Sequence, residues 1–361
     1  MKVLFIRYKK SKGIFEGGEQ GTEEKFRALS AAVDNNIDTY YIHDENKRRT
    51  LKDYAVGLWY FPRGYFFGLT PRRVNEIISI SSQYDVIWID RSIFGILAKK
   101  LKESQYKGKI VGFFHNVETI YFDAKLSRRM PFRRLILRCV DKNDRWTCLY
   151  CDKIVTLTKR DSETINHLYQ RKADKCIPIL FRDKYQKEDY PKGLTDTKPL
   201  CTILAAYFAP NNEGVLWFVR NVLPKVDVRF RIVGKGMGRL KDEHPELANI
   251  EVCSDVPDLV PYFEAADVMV LPIFAGSGMK VKTCESLMYG KNIIATDEAL
   301  EGYAIEEGKS AWRCNTPEEF VQTIQDFIQH PRPKYNEAAR QCFLENYSND
   351  AVERKFKELL S

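Results

Sequence analysis

The chain has 361 residues, enough for two cores of ordinary size, and its 44% hydrophobic and 29% charged residues argue against a disordered or fibrous polymer. Nine cysteines, an odd number scattered from Cys139 to Cys342, argue against a disulfide framework and fit a reducing compartment. The net charge of +8 is uneven: residues 1–190 hold 37 Lys and Arg against 24 Asp and Glu, the rest 20 against 25, so the first half suits an anionic partner such as phospholipid, nucleic acid or a phosphate-bearing substrate.

Residues 1–8 (MKVLFIRY) read as a strand that runs into a glycine-rich stretch with Gly13, Gly17, Gly18 and Gly21. A helical pattern follows over 23–33. Strands are predicted at 38–43, 85–90 (DVIWID), 109–114 (KIVGFF) and 153–157, with helices at 71–82, 92–101 and 131–150 between them. The polar segment 181–199, with two prolines and no period, reads as a linker. A second alternation follows, with strands at 200–206, 229–233, 250–253, 268–272 and 292–295. Its helices are predicted at 214–222, 258–265, 282–289 and 317–330, and a last amphipathic helix at 349–360. Strand–helix alternation of this kind builds parallel sheets covered on both faces. The fold class is α/β: two Rossmann-like domains facing a cleft, with ligands expected beyond the carboxyl ends of the strands.

The most informative stretch is 268–296 (VMVLPIFAGSGMKVKTCESLMYGKNIIAT). A buried strand ends, a Gly276-Ser277-Gly278 turn follows, and a helix carrying Glu285 starts within a few residues. Glycines let a backbone approach an anion, and the helix start offers N–H groups and the positive end of a dipole. Lys282 adds a point charge. Glu285, three residues on, lies on the same face and suits a vicinal diol such as ribose. The alternative from chemistry alone is an ordinary strand–turn–helix with a surface Lys and Glu.

This stretch resembles the signature of GT-B glycosyltransferases of retaining family 4, in the subset where Gly-Ser-Gly is followed by Lys and Glu. Ser277 stands where many members have a first glutamate, and Glu285 matches the second. Further resemblances lie at 206–218 (AYFAPNNEGVLWF), 230–236 (FRIVGKG), 256–267 (VPDLVPYFEAAD), 115–118 (HNVE) and 151–161 (CDKIVTLTKRD). The resemblance implies a nucleotide-diphosphate sugar donor, UDP or GDP, and a glycan or lipid-linked acceptor in polysaccharide assembly. It also implies transfer with retention and without metal or other cofactor.

The roles it implies are residue by residue. Glu285 meets the ribose; the amides of Gly278 and Met279 meet the diphosphate, with Gly276 and Ser277 also in the donor site; Lys280 and Lys282 supply charge. The base lies near Asp255 and Val256. Gly17 and Gly18 approach the phosphate or acceptor side, and His115 faces the transferred sugar. The expected domains are 1–185 for the acceptor, 186–345 for the donor and 346–361 as a helix returning to the first. One departure stands out: between Tyr207 and Glu213, where many relatives carry an Arg and a Lys, there is no basic residue.

Other features point elsewhere or nowhere. Cys148 and Cys151 form one CxxC, but no second pair accompanies it and the five histidines lack ligand spacing, so no metal site is expected. The run from Lys125 to Arg138 (KLSRRMPFRRLILR), with Pro131 opening a helix, is either a solvated face or a peripheral contact with an anionic membrane. No nucleic-acid module is recognisable. No apolar stretch has the length of a membrane span or signal core, so a cytoplasmic chain is expected, with peripheral attachment to the inner face of the membrane left open. Two rival readings are a sugar-nucleotide epimerase and a catalytically idle GT-B scaffold at the membrane, the latter favoured by the absent Arg/Lys pair.

Overall fold

The computed structural model describes residues 1–9, 17–44, 59–185, 192–196 and 198–361, without the side chains of 9, 17–20, 43 and 44. Gly13 therefore lies outside the described residues. Two compact units emerge: Met1–Pro178 with Val352–Ser361, and Ile179–Ala351. Each is an α/β unit built on a parallel six-stranded sheet, as the sequence predicts.

In the first unit the strands are β1 (Val3–Lys9), β2 (Ile37–Asp44), β3 (Val86–Ile89), β4 (Lys109–Phe114), β5 (Lys153–Thr156) and β6 (Lys175–Cys176). Their order is β2-β1-β3-β4-β5-β6. β3 is buried along its whole length, as a strand covered on both faces must be. Helix Pro71–Ser81 starts where Thr70 accepts the Arg73 N–H and Pro71 needs no N–H partner. Helix Gly95–Glu103 crosses helix Arg133–Tyr150 closely: a Cβ on Gly95 would sit 2.0 Å from the Asn143 carbonyl oxygen. Asn143 seals that crossing, accepting the Ile96 N–H at 2.8 Å and donating to the Gly64 carbonyl at 2.8 Å. The C-terminal helix Asn349–Leu360 gives its last nine residues to this unit. Phe356 meets the buried Trp88 edge-on at 5.6 Å, and Glu358 pairs with Lys175.

In the second unit β7 (Leu200–Leu204), β8 (Arg229–Gly234), β9 (Glu251–Ser254), β10 (Val268–Leu271), β11 (Asn292–Ala295) and β12 (Trp312–Arg313) lie in the order β12-β11-β10-β7-β8-β9. The order reverses between β7 and β10, the position beyond whose carboxyl ends open α/β sheets bind ligands. Helix Pro317–Gln329 begins with a capping box between Thr316 and Glu319. Helix Glu337–Asn346 was not expected from the sequence. Its Arg340 is buried, pairs with Asp183 at 2.8 Å and donates to the carbonyls of Met288 and Tyr185. That changes the reading of the start of the segment taken as a linker: residues 181–185 are pinned into the second unit, and Phe181 bridges to Ser348. Residues 186–191 and 197 of that segment lie outside the described residues.

Candidate functional site

The Gly-Ser-Gly turn leaves the carboxyl end of β10, at the point where the second sheet reverses. Gly278 takes φ +61°, a left-handed value that glycine adopts without strain. Helix Val281–Met288 then starts one residue earlier than predicted, with Lys280 at its N-cap offering no side-chain cap. From Ser277 through Lys282 the backbone N–H groups donate to no protein acceptor among the described residues. Such a run at a helix start is an anion site in waiting.

The helix is held from behind. Tyr303 donates its hydroxyl proton to the Lys280 carbonyl at 2.7 Å, and Thr283 donates to the Ala299 carbonyl at 2.6 Å. Cys284 is fully buried beneath it. Across the reversal, Gly214 of helix Ala209–Asn221 abuts the end of β10 so tightly that a Cβ would lie 1.9 Å from the Pro272 carbonyl oxygen. The β7 and β10 loops are thereby locked together.

Each predicted donor residue has a definite place. Lys282 and Glu285 do share a helix face and pair with each other at 2.7 Å. Glu285 is the less exposed of the two, at 14% against 28%. Ser277 is exposed, while Gly278 and Met279 are buried. Lys280 is held within the turn. Its ammonium pairs with Glu298 at 2.7 Å and donates to the Gly278 carbonyl at 2.9 Å, so it braces the turn from inside. Asp255 is likewise engaged. At φ +55° it accepts the Gly236 N–H at 3.1 Å and the Ser254 hydroxyl, and both bonds hold its carboxyl below the usual range. It closes the turn between β8 and β9, with Val256 beside it. Between Tyr207 and Glu213 no basic residue is present, but Arg239 stacks over the Tyr207 ring at 4.5 Å and Tyr207 donates to Glu243 at 2.7 Å.

The first unit holds a second cluster, only one member of which was anticipated. His115 follows β4, Asp90 follows β3, and Lys25 reaches them from helix Gly17–Ala32, the helix that Gly17 and Gly18 open. Lys25 lies 2.7 Å from Asp90 and 2.9 Å from His115 Nε2, and His115 Nε2 is 3.3 Å from Asp90. The Lys25 and Asp90 side chains are each 4% exposed. The Lys25 ammonium also sits over the Phe113 ring at 3.6 Å. Burial lowers Lys25 to about 8 against the pull of Asp90. Against its burial, Asp90 is held low chiefly by the Lys25 charge. Burial first, then the Lys25 charge, lowers His115 to about 4. The imidazole is therefore neutral at pH 7, and a Lys25 ammonium donating to Nε2 places its proton on Nδ1. Sequence reading missed Lys25 and Asp90; a lysine on the apolar stripe with Ala28 and Leu29 was the available signal.

One further expectation changes. Pro131 does not open a helix: helix Arg133–Tyr150 starts two residues later, and Arg133 turns onto Asp123 at 2.7 Å, leaving Arg134 and Arg138 exposed. Cys148 and Cys151 are buried free thiols, and burial pushes Cys148 up to about 12.

Residues 198–330 match the family model described as Glycosyl transferases group 1, a span that contains the β7 and β10 loops and the turn before Val281–Met288. An uncharacterized 44.6 kDa protein in the cps region of Klebsiella pneumoniae is 20% identical over 285 residues, 70% of this chain and 67% of that one. Among solved structures, Anabaena HepE in complex with UDP aligns over 100% of this chain and 99% of its own, with TM-score 0.67 and 13% identity. Sucrose-phosphate synthase from Thermosynechococcus elongatus aligns over 100% and 98%, with TM-score 0.67 and 11% identity. The two parallel-sheet units are thus Rossmann-like units of the kind seen in GT-B glycosyltransferase structures.

Proposed function

We propose that the chain is a glycosyltransferase that moves a sugar from a nucleotide-diphosphate donor to a glycan or lipid-linked acceptor, with retention. The observation that carries this is the run of unpaired N–H groups from Ser277 to Lys282 at the sheet reversal, beside the Lys282–Glu285 pair. It lies within the stretch that matches a glycosyltransferase family model. The diphosphate takes those N–H groups. Lys282 leaves Glu285 for the phosphate, which frees the carboxylate for the ribose diol. Charge that develops on the leaving diphosphate is met by Lys282 and the helix start, the type of fixed electrostatic stabilisation that dominates many enzyme rates. His115, neutral at pH 7 and held by Lys25, is the first-unit residue we assign to the transferred sugar. UDP is the favoured nucleotide because the Anabaena structure holds it. Polysaccharide assembly is the favoured setting, since the Klebsiella relative is encoded in a cps region.

Titration calorimetry with UDP and GDP tests the site. Wild type binds one of them, and Glu285→Ala binds it roughly 10–100-fold more weakly, the worth of a hydrogen bond to a charged group, with its melting temperature kept. Unchanged affinity in the variant sinks the assignment. The absence of a basic residue between Tyr207 and Glu213 favours a second reading, an idle scaffold. Release of free sugar or glycoside from a bound donor excludes it.

A further inference from the structure

A cavity of about 520 Å³ lies in the first unit, within the range of small-molecule sites, roughly 300–1,000 Å³. Eleven of its thirteen lining residues are apolar or aromatic, and the other two, Arg91 and Lys125, are both cations. Walls such as Phe66, Phe67, Phe122 and Ile136 offer no hydrogen bond to a sugar, which would leave its water partners unreplaced. They suit an apolar chain. The cations suit an anionic head: Arg91 pairs with the buried Glu118 at 3.3 Å, and the exposed Lys125 donates to the Tyr121 hydroxyl at 2.9 Å. Exposed Arg128 and Arg129 lie just along the chain.

Phe132 adds an independent sign. It lines the cavity, is 60% exposed and has φ +61° at the start of helix Arg133–Tyr150. A left-handed backbone strains a bulky residue. Glycine would remove that strain, and solvent gives an exposed ring no packing in return. A ring held there at a cost is explained by something that fills the cavity beside it.

We propose that this cavity holds the apolar end of an acceptor composed of an apolar chain with a phosphate or diphosphate head, the head resting on Arg91 and Lys125. Calling it an acceptor rests on the sugar transfer proposed above; the binding chemistry does not. Arg91 directly follows Asp90, so the head lies one residue along the chain from the Lys25–Asp90–His115 cluster.

The test is calorimetry on the full chain with farnesyl phosphate, kept below its micelle-forming concentration, alongside farnesol and inorganic phosphate. Farnesyl phosphate binds saturably, farnesol at least ~10-fold more weakly, and millimolar inorganic phosphate does not displace the probe. Phe132→Gly keeps or raises the melting temperature yet weakens farnesyl phosphate by roughly 10-fold, as loss of an aromatic anchor does. Lys125→Ala weakens farnesyl phosphate and leaves farnesol unchanged. Failure of the wild type to bind farnesyl phosphate overturns the proposal, as does full affinity in Phe132→Gly. So does binding to phosphatidylglycerol vesicles without binding of the monomeric probe, which would make the basic segment a membrane contact instead. A UDP and GDP titration of the same sample separates the two readings. Nucleotide binding without farnesyl phosphate binding removes only the cavity proposal; the converse removes the donor site and leaves a lipid-phosphate site standing.

Discussion

The two units place charge at the same structural position in opposite ways. In the first, the loops leaving β3 and β4 carry Asp90 and His115, and Lys25 closes onto both, so the charges satisfy one another inside the protein. In the second, the loop leaving β10 presents N–H groups that no protein acceptor takes among the described residues, and a Lys282–Glu285 pair still partly open to solvent. A neutralised cluster orients a ligand but binds no net charge. An unsatisfied helix start binds an anion and supplies little orientation of its own. The same architecture thus arranges charge in two ways, and the difference lies in which polar groups are left without partners.

The largest effect should come from breaking the satisfied side. Lys25→Met leaves Asp90 buried without its cation, which costs about 3–5 kcal/mol for a severed buried pair, and a urea titration should show it as a lowered midpoint. A midpoint within error of wild type would mean that Asp90 is not charged there. Next in size is Gly214→Ala. Its Cβ would lie 1.9 Å from the Pro272 carbonyl, so the helix must move off β10 at a cost of about 1–3 kcal/mol. Because that contact locks the β7 and β10 loops, UDP or GDP affinity should fall with the stability; thermal unfolding with and without nucleotide measures both.

What was legible in the sequence follows the same division. β4 and β11 were predicted residue for residue, because each is a continuous apolar run bounded by polar residues. The two-residue strands β6 and β12 carry too little pattern to register. Helix Glu337–Asn346 was lost because its buried face carries Arg340, which breaks the apolar period. The Gly276–Glu285 turn was visible since all its parts lie within ten residues of one another. The Lys25 cluster was not, since Lys25 and His115 are 90 positions apart and meet only when the sheet forms. The Lys280–Glu298 pair was hidden for a related reason: the two lie 18 positions apart, across an intervening helix and strand.

Lys282→Ala sharpens the comparison from the unsatisfied side. The lost pair with Glu285 is a partly exposed i,i+3 contact, so stability should change by no more than about 0.5 kcal/mol. Turnover of the donor should nevertheless fall roughly 100-fold or more if Lys282 meets the leaving phosphate, as for removal of a fixed oxyanion donor. Single-turnover assays with a UDP-sugar decide it. Wild-type turnover would shift the burden wholly onto the backbone N–H groups.

The smallest wild-type effect is in the pH dependence of stability, because two buried groups of the first unit oppose each other. His115 has its folded pKa lowered from 6.5 to about 4, so the unfolded chain takes up the proton first, and stability is lost as pH falls from about 6.5 toward 4. Asp144 is raised from 3.8 to about 7, chiefly by burial, although Thr119 donates to it from both its N–H and its hydroxyl. Here the folded chain holds the proton longer, so stability is gained over the same fall in pH; buried Glu118, also raised, acts with the same sign. The wild type should therefore change little between pH 7 and 4.5. Relative to wild type, His115→Gln should gain stability on acidification because only the acids remain, whereas Asp144→Asn, left with His115 opposed by Glu118 alone, should lose it. Urea midpoints at the two pH values read the sign directly. If both variants shift in the same direction, the histidine and the acid do not titrate as opposed groups, and the neutral His115 assigned to the first unit falls with them.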